Sequence, residues 1–182
     1  MKSPFSNFHP AEFRVEVDGG MKEFNCSEQY FMYHKARLAK DVKSAEEILK
    51  MTKPLLMKRA GRKLKMSQEM LKEWSEASED VMFRGCLQKF RQNEKLQISL
   101  FRTRGMRLAE ASPRDKLWGI GLGVNDKRAG DCSLWKGKNK LGKVLEKVRD
   151  ELWENSEEEF RKSRDLVEKE DDERRCGELE KI

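Results

Sequence analysis

Apolar residues along the chain follow two different periods. Glu12-Phe13-Arg14-Val15-Glu16-Val17 alternates polar and apolar, the period-two pattern of a half-buried strand. Asp18-Gly19-Gly20 is a turn, and Met21 to Phe24 returns as the hairpin partner. A helical period then takes over. Asn25 or Ser27 caps a helix running to about Ala39. Asp41 starts a second, with Val42, Ala45, Ile48 and Leu49 on its inner face. Pro54 suits the first residue of a short third helix ending near Gly61. Ser67 caps a long fourth, in which Met70, Leu71, Trp74, Ala77, Val81, Met82 and Phe90 keep close to helical spacing. Asn93 starts a fifth through Leu96, Leu100 and Thr103, and Gly105 stops it. Met106 to Ala111 and Trp118 to Leu122 read as two further strands. Asn139 caps a last helix, with Leu141, Val144, Leu145, Val148 and Leu152 on one face. The pattern predicts an α+β fold: a mainly helical single domain with a small sheet and no internal repeat.

Charge divides this picture in two. The 182 residues carry 39 Lys plus Arg against 33 Asp plus Glu, a net of +6. Beyond Trp153 there are twelve acids and seven bases, which leaves 21 acids and 32 bases in residues 1–153. All four tryptophans lie in that basic part. The expected organisation is a working domain over 1–153 followed by a charged tail over 154–182. With Phe160 as its single aromatic, the tail is expected to be a solvated helix or disordered. An acidic tail is also able to fold back over a phosphate-binding face. The basic domain suits a phosphate-bearing partner: nucleotide, nucleic acid or sugar phosphate.

Other classes are disfavoured. No stretch approaches the ~18 apolar residues of a membrane span. The start, Met1-Lys2-Ser3-Pro4-Phe5-Ser6, lacks a signal-peptide apolar run. A cytoplasmic location is expected, with the nucleus as alternative and no membrane partner. Cys26, Cys86, Cys132 and Cys176 are widely spread, and the only histidines are His9 and His34. Zinc ligand pairs are missing, so reduced thiols and no metal site are expected.

Four segments carry candidate chemistry. Gly119-Ile120-Gly121-Leu122-Gly123 is followed by a turn-like Asn125 to Gly130 rather than a helix, which argues against a dinucleotide fingerprint. Its glycines are better read as points of close backbone approach. In Asn25 to Ala36, Glu28, Met32 and Lys35 share one helix face. Glu28 is either a capping-box partner of Asn25 or a functional acid facing Lys35. Lys35, beside bulky aromatic residues, is either a solvated lysine or an amine of lowered pKa able to act as a nucleophile. In Glu110 to Gly119, Glu110 falls on an inward strand face, where a carboxylate needs a partner or a task. Asp115 is an Asx-turn acceptor or a second acid, and Trp118 is core or a stacking surface. In Trp135 to Gly142, Asn139 is an N-cap, and the helix start with Lys136, Lys138 and Lys140 forms an anion site.

These segments belong to a longer ordered set. Ser6-Asn7-Phe8-His9-Pro10, Ser27 to Tyr33 continuing to Lys35-Ala36, and Gly61-Arg62 come first. Lys89-Phe90 with Asn93 and Leu96 follows, then Glu110-Ala111-Ser112-Pro113 to Asp115, and Trp118-Gly119-Ile120-Gly121. Trp135-x-Gly137-x-Asn139-x-Leu141-Gly142 with Val148-Arg149 closes the set. From about Ser3 to Leu152 the chain resembles the NADAR family, also called YbiA-like. It departs at His9, where the family usually carries Tyr.

The resemblance implies a compact, mainly helical α+β fold and an N-glycosidase acting at C1′ of a ribose phosphate joined to nitrogen. Two substrate classes go with it: ribosylaminopyrimidine phosphates of early riboflavin synthesis, and ADP-ribose attached to guanine. The implied partners are a small ribose-phosphate or ADP-ribosyl substrate, or ADP-ribosylated nucleic acid. The chemistry requires no metal or organic cofactor. Glu28, Glu110 and Asp115 are the candidate acids, since glycoside cleavage is commonly run by paired carboxyls. Lys35 is the candidate Schiff-base amine. Arg62, Lys89 and Lys138 are candidates for the phosphates, and Trp118 or Tyr30 for stacking on the base. Asn7, Phe8, Gly119, Gly121, Trp135 and Asn139 complete the implied substrate-binding set. The alternatives are a non-catalytic ADP-ribose-binding module and a nucleic-acid-binding protein using the basic surface.

Overall fold

The computed structural model describes residues 3–155 and 157–179. The chain opens with an irregular strap, then an antiparallel hairpin of β1 (Phe13–Val17) and β2 (Gly20–Phe24). Phe13 pairs with Phe24 and Val17 with Gly20. Asp18 and Gly19 both take positive φ, 52° and 75°, as a tight turn matched to strand twist requires. The inner ends of the hairpin, Phe13 and Phe24, are buried against Tyr30 and Tyr33.

Six helices follow within the first 155 residues: α1 (Ser27–Leu38), α2 (Val42–Leu49), α3 (Pro54–Lys63), α4 (Gln68–Arg91), α5 (Glu94–Phe101) and α6 (Lys140–Glu154). Asp41 and Ser67 cap as their sequence positions predict, accepting from Ser44 N–H and Met70 N–H. Helix α1 starts differently. Its N-cap is Cys26, with no side-chain cap. The Gln29 carboxamide accepts from Asn25 N–H instead, and donates to the carbonyls of Ile48, Leu49 and Met51 at the end of α2. The Glu28–Asn25 capping box is therefore absent, and the Glu28 side chain is released from a local role.

Helix α1 is the axis of the fold, packed on α2, α3, α4 and β2. Gly61 is required where α3 crosses α1, because a Cβ there would run into Met32 Sδ. Helix α4 lies across both α1 and α6, and the buried face of α6 is the apolar stripe from Leu141 to Leu152.

The two strands expected at Met106–Ala111 and Trp118–Leu122 do not form. Apart from short 3₁₀ turns at Lys127–Gly130 and Cys132–Leu134, residues 102–139 are irregular. The backbone is nevertheless heavily bonded. Ile120 N–H donates to Glu110 C=O, Lys136 N–H to Ile120 C=O, and Asn139 N–H to Gly119 C=O. Pro113 and the bend it imposes prevent a longer ladder. Arg149, buried on α6, ties down the start of this loop by donating to the carbonyls of Thr103 and Met106.

The tail forms α7 (Glu158–Leu179). It is more than a solvated extension: Phe160, Ser163 and Val167, at i, i+3 and i+7, are buried. Glu157, Glu168 and Glu170 pair with Arg91, Arg104 and Arg102. Residues 180–182 lie outside the described residues.

Gly137 has the tightest backbone approach in the long loop. A Cβ there would collide with Gly119 C=O and come within 3.0 Å of Gly121 N, both of them main-chain atoms. Gly137→Ala is expected to lose about 1–3 kcal/mol of stability in chemical denaturation, the usual range for overpacking. An unchanged midpoint would mean that the loop is not close-packed there.

Candidate active site

Four helices and two irregular segments enclose a cleft of about 830 Å³. From α1 come Glu28, Phe31, Met32 and Lys35, spaced i, i+3, i+4, i+7. From α3 come Lys58, Gly61 and Arg62, and from α4 Leu71, Trp74, Ser75, Ser78 and Met82. The strap contributes Ser6, Asn7 and Phe8. The long loop contributes Glu110 and the stretch Arg114 to Trp118, and the start of α6 contributes Lys140 and Leu141. Phe31 forms the apolar floor, 4.8 Å from the Trp74 ring and 5.3 Å from the Trp118 ring, centroid to centroid.

Glu28 is the unusual group. It is 4% exposed, and its Oε1 has no hydrogen-bond partner. Burial pushes its carboxyl up to about 7, with the Asp115 charge adding to the rise and Lys58 and Arg62 opposing it. Glu110 is raised for the same first reason, burial, and then by Asp115. Lys35 is half-buried and its Nζ donates to Gly61 C=O at 2.9 Å. Burial and then the Arg62 charge lower its pKa. The expected Glu28–Lys35 ion pair does not form. The two share a wall of the cleft, each held toward its neutral form by loss of water.

Asp115 serves as the turn acceptor: its Oδ1 accepts from Leu117 N–H and Trp118 N–H. That fixes the Asp115–Trp118 turn at the cleft edge. Trp118 is half-buried and packs edge-on against Phe31, so it is at once part of the core and part of the cleft wall.

Several expected binding residues lie elsewhere. Tyr30 points into the core, 5.0 Å from the Phe24 ring. Lys89 is buried and donates to main-chain carbonyls of the strap. Trp135 donates from Nε1 to Ala129 C=O, away from the cleft, and Lys138 is exposed outside it. Gly119 and Gly121 serve backbone approach. A Cβ on Gly119 would lie 2.8 Å from the carbonyls of Glu110 and Asp115, while Gly121 takes φ +70° against Lys136. Asn139 holds the N-cap position at φ 51° without capping. Its side chain accepts from Glu110 N–H and donates to Leu108 C=O, fixing the backbone that carries Glu110. The anion site expected at the start of α6 is closed, because Lys140 N–H and Leu141 N–H donate to Leu117 C=O and Trp118 C=O.

The cleft also contains residues the sequence reading passed over: Lys58, Trp74, Ser78, Arg114 and Lys116. For Lys58 the signal was present, since it sits one turn before Arg62 on α3. Among the described residues, no α7 side chain lines the cleft. Cys26 and Cys86 are buried and free, and Cys132 is free and exposed. The described residues hold no cluster of three or more His, Cys, Asp or Glu able to take a metal. None of their helices is long and apolar enough to cross a membrane.

Known proteins share this architecture. The model of the NADAR domain matches residues 1–153. Protein irg-1 of Caenorhabditis elegans is 51% identical, over 97% of this chain and 87% of its own length. N-glycosidase R617 of Acanthamoeba polyphaga mimivirus is 36% identical, over 81% of this chain and 86% of its own. The NMR structure of Escherichia coli YbiA superposes with a TM-score of 0.64 at 30% identity, covering 85% of this chain and 83% of that one. The fold is YbiA-like, mainly helical with a two-stranded sheet. The chain belongs to the NADAR domain family.

The buried carboxyl has a consequence for stability. Glu28 ordinarily titrates near 4.5 and in the fold near 7, so the folded chain holds an extra proton between those values. Its stabilising effect is complete below 4.5 and is lost as pH rises through about 7. Glu28→Gln, which cannot ionise, is expected to exceed the wild type in stability at pH 8 by roughly 1–3 kcal/mol. Near pH 4 the two should match. Equal stability at both pH values would show that Glu28 is hydrated.

Proposed function

We propose that the chain is an N-glycosidase cleaving the bond between C1′ of a phosphorylated ribose and an amino nitrogen of a base. One observation carries this reading. On a single face of α1, burial raises one acid toward neutrality and lowers one amine, and both line the same cleft. Such environments tune groups for proton exchange and nucleophilic attack near neutral pH.

The chemistry balances with water as the only co-reactant. The sugar ring opens as its oxygen takes a proton from Glu110, and C1′ becomes an iminium joined to the base nitrogen. Lys35, in its neutral form, adds to C1′ and gives a proton to the Glu110 carboxylate. Glu28 gives its proton to the base nitrogen, the C1′–N bond breaks, and the base leaves as a free amine. Water adds to the remaining C1′–Nζ iminium. The Lys35 bond breaks, the proton that this hydrolysis frees returns to Glu28, and the sugar aldehyde closes to ribose.

Within the family's two substrate classes, the cations favour ADP-ribose attached to guanine. Lys58, Arg62, Arg114 and Lys116 line the cleft, and among the described residues none forms a carboxylate ion pair, whereas Lys140 pairs with Glu79. Four such cations suit a diphosphate better than the single phosphate of a ribosylaminopyrimidine. Phe31, Trp74 and Trp118 supply aromatic surface for a base.

The test is cleavage of that bond in ADP-ribosyl-guanosine, ribosylaminopyrimidine phosphate and guanine-ADP-ribosylated DNA, read as release of ADP-ribose or ribose phosphate from the base-bearing product (base release for short). The wild type is expected to turn over the ADP-ribosyl substrates faster than the monophosphate. Glu28→Gln, Glu110→Gln and Lys35→Ala should each reduce base release by roughly 100-fold or more. Arg62→Ala should raise KM about tenfold, and it should also lower kcat at neutral pH because the Arg62 charge helps to lower the Lys35 pKa. Tight binding of ADP-ribosyl-guanosine without base release would make the chain a binding module instead.

A further inference from the structure

Lys89 is a buried lysine that no substrate can reach. It is 1% exposed, and its Nζ donates to Pro4 C=O at 2.7 Å and Ser6 C=O at 3.0 Å. The Phe90 ring lies 5.0 Å away, and Phe5 packs on that ring at 6.4 Å. A lysine out of water is costly unless its N–H groups are used, and here they are used on the strap. The end of α4 and the start of α5 repeat the device. Cys86 Sγ on α4 lies 3.9 Å from Asn7 Oδ1, Lys89 on α4 holds Pro4 and Ser6, and Asn93, the N-cap residue of α5, donates to Glu12 C=O at 3.0 Å.

The strap so held is a wall of the cleft. Ser6, Asn7 and Phe8 line it, and Phe8 lies 5.8 Å from Lys58 Nζ. The strap is also joined to the proposed acid, since Glu28 N–H donates to Asn7 C=O at 3.1 Å. We infer that Lys89 is a positioning residue: through Pro4 and Ser6 it holds the strap against the first turn of α1 and so keeps water away from the Glu28 carboxyl. The part that concerns turnover rests on the glycosidase reading, while the mechanical part does not.

A purely structural lysine would alter stability alone, whereas this role also alters the titration of a carboxyl it does not touch. Glu28 faces Lys58, Arg62, Asp115 and the Cys26 thiol, and Lys89 faces Cys86 and Cys26. Cys26 is the neighbour the two share, and burial pushes its thiol up, away from ionisation, so removing the lysine charge has no charged relay to Glu28.

The experiment uses the full chain with Lys89→Met, which fills the same space without donors. Carboxyl-carbon NMR reads the Glu28 midpoint, and amide hydrogen exchange reads residues 3–8 and Glu28. The expected result is a Glu28 midpoint lowered by about one pH unit and exchange at Glu28 at least tenfold faster. The alkaline limb of base release should move to lower pH by the same amount. Phe5→Ala, which loosens the strap's other anchor and leaves Lys89 in place, should act in the same direction and serves if Lys89→Met does not fold. An unchanged midpoint and unchanged exchange in a folded variant overturn the inference. If these move as expected while the wild type releases no base, the positioning role stands and the glycosidase reading falls.

Discussion

A carboxyl group kept out of water at the first turn of α1 is the constraint on which the cleft depends. An unpartnered buried oxygen costs free energy, so Glu28 stays buried only because several segments close over it together. Helix α3 comes close at Gly61, which has no Cβ to keep it away from Met32. Helix α4 holds the strap, and the long loop brings Asp115 and Trp118 across the opening. Lys58 and Arg62 oppose the rise in its pKa, which leaves a group able to hold or give a proton near neutrality.

The long loop shows how irregular backbone can be rigid. It has no strand, yet its carbonyls and N–H groups are used in turn by Ile120, Lys136 and Asn139. Glycines at 119 and 137 allow that approach. Asn139 grips the backbone on both sides of Ala109, so Glu110 is presented to the cleft from a fixed support. Helix α7 stands apart from this machinery. Its Glu168 and Glu170 pair with Arg104 and Arg102, and Glu157 just before it pairs with Arg91, while among the described residues Lys58, Arg62, Arg114 and Lys116 at the cleft have no carboxylate ion pair.

How much of this was legible in the sequence depends on how local the physics is. The hairpin and α1 to α6 follow from period and turn residues, because those signals act within a few positions. The face shared by Glu28 and Lys35 follows from helical spacing, and the loop residues that the family resemblance implies, Glu110, Asp115 and Trp118, line the same cleft. Tyr30 and Lys89 were misread as binding residues because residue type suggests a ligand while only packing decides the direction of a side chain. Lys58 and Trp74 were missed for the complementary reason: they reach the cleft only once α3 and α4 fold over α1. The two supposed strands failed because Glu110 and Ile120 do meet, but through one main-chain bond rather than a ladder. In α7 the spacing of Phe160, Ser163 and Val167 was visible, and charged neighbours obscured it.

Acid, amine and cations thus come from three separate segments, α1, α3 and the long loop, and the amine makes the sharpest chemical claim. Glu28 and Glu110 would serve many hydrolases, but a lysine of lowered pKa in the same cleft predicts a covalent sugar on its Nζ. The direct measurement is intact-protein and peptide mass spectrometry after mixing wild-type protein with ADP-ribosyl-guanosine and borohydride. The account predicts a stable adduct of the sugar diphosphate mass on the peptide containing Lys35, and none with Lys35→Ala. Efficient release of guanosine with no trapped adduct at Lys35 would contradict it.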